Sequence, residues 1–536
     1  MGATDKEIMQ SWFTFQLDGE ECRVKSEDTH KSLAHYLSSL DPCFAHYAEH
    51  DAWKRSRLVI LGSLEDDCHR FRVVDSGLVF LPMLAGKQIW TAQGIQHAEP
   101  DHPAQLALQG SHFECSEERL QALRTLMFEG YYRPDLRRQG QINDQFDAII
   151  TRTANVPMIR EAAAQVFAST EQLRHEAALQ AEKTGQEATV WTGRKDIFGD
   201  RFTRSLFQLK NQTAEHYVDE SKKRFFRPSN LVELLKLKRE YPDAQLIAGG
   251  THLGMNIKNV SIPNLISVED VRELSKLIKT EENWEIGAAT PLTRVAEQIG
   301  RECPQITKIF RRFATRPIRN RATLGGYLAT ARGSGQISPL LFALNARVIL
   351  LSENGERDAP ISQFYDRNSG TIIAPGEVIR SIIIPRHNHM TLADRGISSR
   401  LCDTYTSGRR RTLTEPYVSA AFAFELRDRT IAKAWIAYSG IDDIPLRVRE
   451  AEEFITGKPW KESTVFETLP VLKESVTVKA GSGNAGEAEY KMQLVGTLFQ
   501  KFYYQHPKPD KVLPEHLTAT SEFARLDEPF FDALPD

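Results

Sequence analysis

The chain has 536 residues, 41% of them hydrophobic, which is enough for several domains with ordinary buried cores. Its 68 basic and 71 acidic residues leave a formal charge of −3, so no global field draws it to nucleic acid or an anionic membrane, and any charged partner must be recognised locally. The start MGATDKEIMQSWFTF lacks a signal-peptide pattern, no run of about eighteen apolar residues occurs, and Cys22, Cys43, Cys68, Cys115, Cys303 and Cys402 form no CxxC pair. These features predict a cytoplasmic protein with neither a disulfide framework nor a thiolate metal site.

The first segment alternates in SWFTFQLDGEECRV, continues into a helix at THKSLAHYLSSL and returns to a β-rich run at SRLVILGSL, predicting a small mixed domain over residues 1–96. HPAQLAL, EERLQALRTLMFEG and VPMIREAAAQVFAS carry apolar residues at helical spacing, so a helical domain is expected over 97–168. Residues 169–222 are polar and charge-rich and read as a connector.

In RFFRPSNLVELLKLKREYPDAQLIAGG a Ser-Asn start precedes a helix with periodic leucines, and a Pro-Asp turn leads into a strand ending in glycines. Short strands and helices follow through RATLGGYLATARG, ARVILLSENGERDAP and GEVIRSIIIP, predicting an α+β domain over 223–410. VSAAFAFEL and IAKAWIAYSGI read as strands and EYKMQLVGTLFQKFYYQ as a helix, making a last domain over 411–508. The Pro- and acid-rich stretch 509–536 reads as an extended tail.

The glycines of QLIAGGTHLG follow a strand, where they permit positive φ and let successive N–H groups converge on an anion such as a pyrophosphate. The spacing is neither GxGxxG nor a phosphate-loop pattern, so a tight turn under a sheet is the alternative. A second glycine turn in RFATRPIRNRATLGGYLATARGSG strengthens the dinucleotide reading. The run Arg311, Arg312, Arg316, Arg319 and Arg321 could attract a diphosphate or form a solvated face, and Arg409 to Arg411 carry the same two readings. His387 and His389 read as an exposed loop, without a third metal ligand.

QLIAGGTHLG, then IRNRATLGG about seventy residues later, then GEVIRSIIIP together resemble the FAD domain of the molybdenum hydroxylases, as in the xanthine dehydrogenase small (FAD and iron–sulfur) subunit. SGLVFLPMLAGKQIWTAQGI is similar to the end of that family's ferredoxin-like domain, HPAQLAL to the start of its helical cluster domain, and VSAAFAFEL through EYKMQLVGTLFQKFYY to its flavoprotein C-terminal domain.

The resemblance implies an α+β multidomain fold: a degenerate ferredoxin-like β-grasp domain, a helical cluster-type domain, a two-part FAD-binding domain and the C-terminal domain. It places the flavin's pyrophosphate loop on Leu246, Ile247, Ala248, Gly249, Gly250, Thr251, His252, Leu253 and Gly254, with His252 in place of the usual acid. It also places Phe313 near the adenine, Thr323 and Gly326 at the second turn, and Ile379 beside the flavin. Where the family has GGNIxxxSPxxD, this chain reads GGYLATARGSGQ, with Tyr327, Arg332 and Gln336 at the asparagine, serine and aspartate. Thr406 stands where a lysine is common.

The family also carries two iron–sulfur clusters, whose ligands are missing here. Gly77 stands at a cysteine of the first cluster, only Cys115 remains of a CGxC pair, and Thr151 and Thr153 replace a CRC triplet. Glycine and threonine supply no thiolate, and His46, His50, His69 and His112 form no recognisable ligand set. No catalytic residue or resident metal is assigned. The resemblance implies an FAD-dependent oxidoreductase subunit without its own clusters, exchanging electrons with NAD or another acceptor beside a molybdopterin-binding large subunit. The alternatives are a noncatalytic scaffold that docks such a subunit, and a flavoprotein with a substrate of its own.

Overall fold

In the computed structural model the described residues are 10–25, 27–40, 57–65, 68–110, 115–133, 139–149, 156–166, 216–256, 262–300, 302–387, 392–393, 395–409, 415–478 and 485–506. The expected tail, nearly all of the connector, Cys43, His46, His50, His112, Thr151, Thr153, His389, Arg410 and Arg411 lie outside them, as do the side chains of Cys68 and His69.

The first sheet contains β1 (Trp12–Leu17), β2 (Glu20–Lys25), β3 (Leu58–Glu65), β4 (Cys68–Asp75) and β5 (Gln88–Trp90), in the order β2-β1-β5-β3-β4. β1 and β5 run parallel and the other neighbours antiparallel. Side chains alternate along a strand, so Ile60, Val73 and Trp90 face one core while Val59, Leu61, Val74 and Ile89 face another. The first core is completed by helices Ala92–Ala98, Pro103–Gly110, Glu117–Tyr132 and Gln139–Gln145 and a helix over 156–166.

The second core is shared with the next sheet, formed by β6 (His216–Val218), β7 (Arg224–Phe226), β8 (Gln245–Ile247) and β9 (Asn264–Ser267) in the order β6-β7-β9-β8. Tyr217, Phe225, Ile247 and Leu265 pack among Phe13, Phe15 and Leu61. β6 begins before residue 223, where the second half was expected to start, because its backbone pairs with β7 and Gln10 bridges to Tyr217. The helix Leu231–Glu240 begins as the sequence predicts, with Asn230 accepting from the Glu233 N–H at 3.0 Å.

A third, antiparallel sheet orders β10 (Leu277–Lys279), β11 (Asn283–Gly287), β16 (Val378–Pro385), β12 (Arg347–Ser352) and β13 (Gly355–Pro360) as β10-β11-β16-β12-β13, with a hairpin of β14 (Tyr365–Asp366) and β15 (Gly370–Thr371) beside it. The last sheet runs β17 (Ser399–Ser407), β18 (Val418–Arg427), β19 (Thr430–Ser439) and β20 (Leu446–Arg447). β17 lies before the expected boundary at 411 but pairs with β18 along its whole length.

VSAAFAFEL forms a strand as expected, and both faces of that last sheet are buried. Ala421, Ala423 and Ala437 meet the preceding domain, where small side chains admit the helix Ile337–Ala343; Phe422, Phe424 and Ile436 meet helices Arg449–Ile455, Glu462–Ser475 and Ala485–Gln505. The molecule is a mixed α+β, multidomain protein. Among the described residues no helix is long and apolar enough to cross a membrane, and no group of three His, Cys, Asp or Glu could hold a metal ion.

Candidate functional site

β8 ends at Ile247, and Ala248, Gly249 and Gly250 turn the chain into the short helix Thr251–Asn256. Gly250 has φ +77°, a conformation open to glycine and strained for other residues. Gly249 lies directly on the backbone carbonyl of Arg321, and a methyl group built on it would collide with that oxygen. The Arg321 Nε–H donates in turn to the Gly249 carbonyl at 3.3 Å. The first glycine turn therefore packs against the segment leading into the second, and backbone against backbone is the reason for the first glycine.

The other glycines of the loop face the N-terminal domain. A methyl group on Gly250 would come 2.9 Å from the Leu78 carbonyl oxygen and 3.5 Å from the Phe80 ring; one on Gly254 would come 3.1 Å from Leu78 Cα. Protein fills the inner side of the loop. What remains beneath it is a cavity of about 40 Å³ between Leu61, Ser63 and Arg72 of the first sheet and Ala248, Gly249, Asn320 and Thr323. That is room for roughly three waters and not for a dinucleotide. A nucleotide would have to use the outer side, toward Thr251, exposed His252 and exposed Gly326.

Thr323 accepts from the Gly326 N–H at 3.0 Å and so caps the helix Leu324–Ala329. Gly326 has only that hydroxyl close to where a side chain would begin. Phe313, half-buried, meets Tyr327 edge-on with ring centroids 5.5 Å apart. Leu246 and Ala248 pack at the edge of a core, Ile247 lies inside one, and Leu253 packs beside it. Ile379 is buried in the third sheet's core opposite Leu350.

Tyr327 points its hydroxyl at the start of the helix Ile337–Ala343, accepting from the N–H groups of Ile337 at 2.9 Å and Ser338 at 3.1 Å. Ser338 Oγ links it to Tyr365, 2.7 Å beyond. Burial pushes both phenols above their ordinary range, so both stay protonated. Beside them, Gln336 is buried and its Oε1 has no hydrogen-bond partner. Arg332 lies 3.0 Å from His252 Nδ1, and burial followed by that guanidinium lowers the histidine's pKa.

Neither reading of the basic run survives for its second half. Arg316, Arg319 and Arg321 are buried and already paired. Arg319 meets Asp144 at 2.6 Å and Asp147 at 3.1 Å, and Arg316 meets Glu297 at 3.0 Å. Arg321 and Lys87 share Glu269, at 2.5 and 2.8 Å. Burial opposes the charge on Glu269, but Arg321 and Lys87 outweigh it and hold the carboxyl below its ordinary range. No motif marked these acids, which stand far from their partners in sequence.

Gly77, the position that the resemblance gives to a first-cluster cysteine, lies tight against Arg57. Gly77 bears no thiol, and a Cβ there would lie 2.5 Å from Nη1 and 2.6 Å from Cζ of Arg57. Arg57 pairs with Asp75 at 3.1 Å, both nearly sealed. Of the second site, Cys115 is described and is half-buried.

Residues 220–387 match the model of the FAD binding domain in molybdopterin dehydrogenase, and residues 403–506 that of the CO dehydrogenase flavoprotein C-terminal domain. Aldehyde oxidase 2 of Mus musculus is 28% identical over 360 residues, 63% of this chain and 26% of that protein. Xanthine dehydrogenase 2 of Arabidopsis thaliana is 26% identical over 338 residues, 58% of this chain and 24% of that one. The chain thus spans about a quarter of the length of these relatives. A chain of carbon monoxide dehydrogenase from Hydrogenophaga pseudoflava overlays at a TM-score of 0.47 with 21% identity, covering 52% of this chain and 94% of that one.

The two matched domains define a flavoprotein of the molybdopterin dehydrogenase class. The chain belongs to the molybdenum hydroxylase family, on the side of its FAD subunit.

Proposed function

We propose that the chain is the FAD-binding subunit of a molybdenum hydroxylase-type oxidoreductase, working beside a molybdopterin-binding large subunit and without iron–sulfur clusters of its own. The observation that carries this reading is the packing of Gly249 on the Arg321 carbonyl, which sets the first glycine turn against the segment leading into the second while His252 and Gly326 stay exposed. The unpartnered Gln336 Oε1 adds a buried acceptor that a ribityl or ribose hydroxyl would satisfy.

FAD, when bound, supplies electron exchange with NAD or another acceptor. The protein's share is positional. Thr251, His252 and Gly326 would hold the pyrophosphate, Phe313 would flank the adenine, and Tyr327, fixed by two N–H groups, would limit how far the ring system enters.

A noncatalytic scaffold that docks a molybdenum-hydroxylase-type subunit is the second reading. It is favoured by Arg57 filling the space beside Gly77, where the resemblance puts a thiolate, and by the Tyr327 hydroxyl occupying the amides of Ile337 and Ser338. The visible spectrum of the purified protein, with flavin quantified after acid release, separates the two. Bands at about 370 and 450 nm and about one FAD per chain are the outcome of the first reading. A colourless protein that takes up no added FAD overturns it in favour of the second.

A further inference from the structure

The Arg57 guanidinium occupies the space that any side chain at position 77 would need, the position that the resemblance gives to a cluster cysteine. Arg57 is 7% exposed, and its terminal atoms lie against the missing Cβ of Gly77. Its Nη2 donates to Asp75 Oδ2 at 3.1 Å, while Asp75 Oδ1 accepts from the Gly77 N–H at 2.8 Å. The Ser76 hydroxyl donates back to the Arg57 carbonyl at 2.8 Å. The pair is thus tied to the single helical turn Ser76–Leu78 by two hydrogen bonds, from Ser76 and from Gly77.

That turn is the surface against which the glycine loop lies. The Leu78 carbonyl and Cα approach Gly250 and Gly254 at distances that exclude any larger residue without a shift. We propose that Arg57 is a positioning residue for the glycine loop: its buried pair with Asp75 takes over the mechanical part of the first iron–sulfur cluster, fixing Ser76–Leu78 and through it Gly250 to Gly254. The N-terminal domain thereby serves the flavin site as a redox-silent clamp, an assignment that rests on the FAD-subunit reading for its functional meaning but on the contacts above for its geometry.

The test uses the full chain with Arg57→Ala, Arg57→Met, which keeps the apolar stem and drops the charge, and Arg57→Lys, which keeps a charge without the planar fork. Amide hydrogen exchange is the primary readout. In Arg57→Ala and Arg57→Met, amides of 250–256 are expected to exchange about tenfold faster while those of β18 and β19 keep their rates, with Arg57→Lys in between. FAD titration should show affinity reduced about tenfold in the same order. Unchanged exchange at 250–256 in folded Arg57→Met overturns the proposal, as does acceleration spread evenly over the chain. If the native chain binds no FAD, the flavin reading fails on that result, and the exchange data still decide the role of Arg57.

Discussion

Arg319 and Asp144 lie 2.6 Å apart across the seam between the helical region and the FAD-binding domain, with side-chain exposures of 2% and 13%. Breaking a buried pair strands a charge, which costs about 3–5 kcal/mol. Arg319→Ala should lower unfolding stability by that order in denaturant titration, whereas exposed Arg239→Ala, which loses its contact with Glu353, should cost under about 1 kcal/mol.

His102 gives a pH signature. Its Nδ1 accepts from the Ala104 N–H at 3.1 Å, its ring stacks on Phe128 and meets Tyr131 edge-on, and burial lowers its pKa from 6.5 to about 3. Below pH 6.5 the unfolded chain takes up a proton that the folded site refuses, so the contribution is complete above 6.5 and is lost as pH falls toward 3. At about pH 5 the loss amounts to about 2 kcal/mol. His102→Asn, compared with the native chain by denaturation from about pH 7 to 5, should remove that much of the slope.

The two loop glycines should differ in tolerance. Gly249→Ala collides with a backbone carbonyl that cannot rotate away, and Gly250→Ala places a side chain at φ +77° beside Leu78. The second should cost about 1–2 kcal/mol and the first more, with displacement of the Arg321 turn. Thermal unfolding of both variants would settle the order.

Gln336 separates binding from folding. Removing an unpaired buried acceptor by Gln336→Leu should leave the flavin-free protein as stable or about 1 kcal/mol more so. If a cofactor hydroxyl meets that acceptor, FAD affinity should fall about tenfold. Paired stability and flavin titrations would show opposite movements; parallel losses would assign Gln336 to structure alone.

Local pattern carried much of the architecture. The Asn230 cap preceded periodic leucines, VSAAFAFEL read as a strand, and the glycines after β8 marked a turn that needs positive φ. These are properties of neighbouring residues, set by helical and strand periods and by glycine's freedom, and they are visible in the amino-acid order.

The order did not disclose what the turns press against. Arg57 meets Asp75 across 18 positions, and Arg319 meets Asp144 across 175. A charged residue looks the same in sequence whether it faces water, a ligand or a buried partner, because its environment is assembled by chain segments that become neighbours only when the cores close. Packing decided that the second half of the basic run is spent on ion pairs, that the inner side of the glycine loop is filled by Leu78 and Phe80, and that the Arg57 guanidinium fills the space a side chain at Gly77 would take.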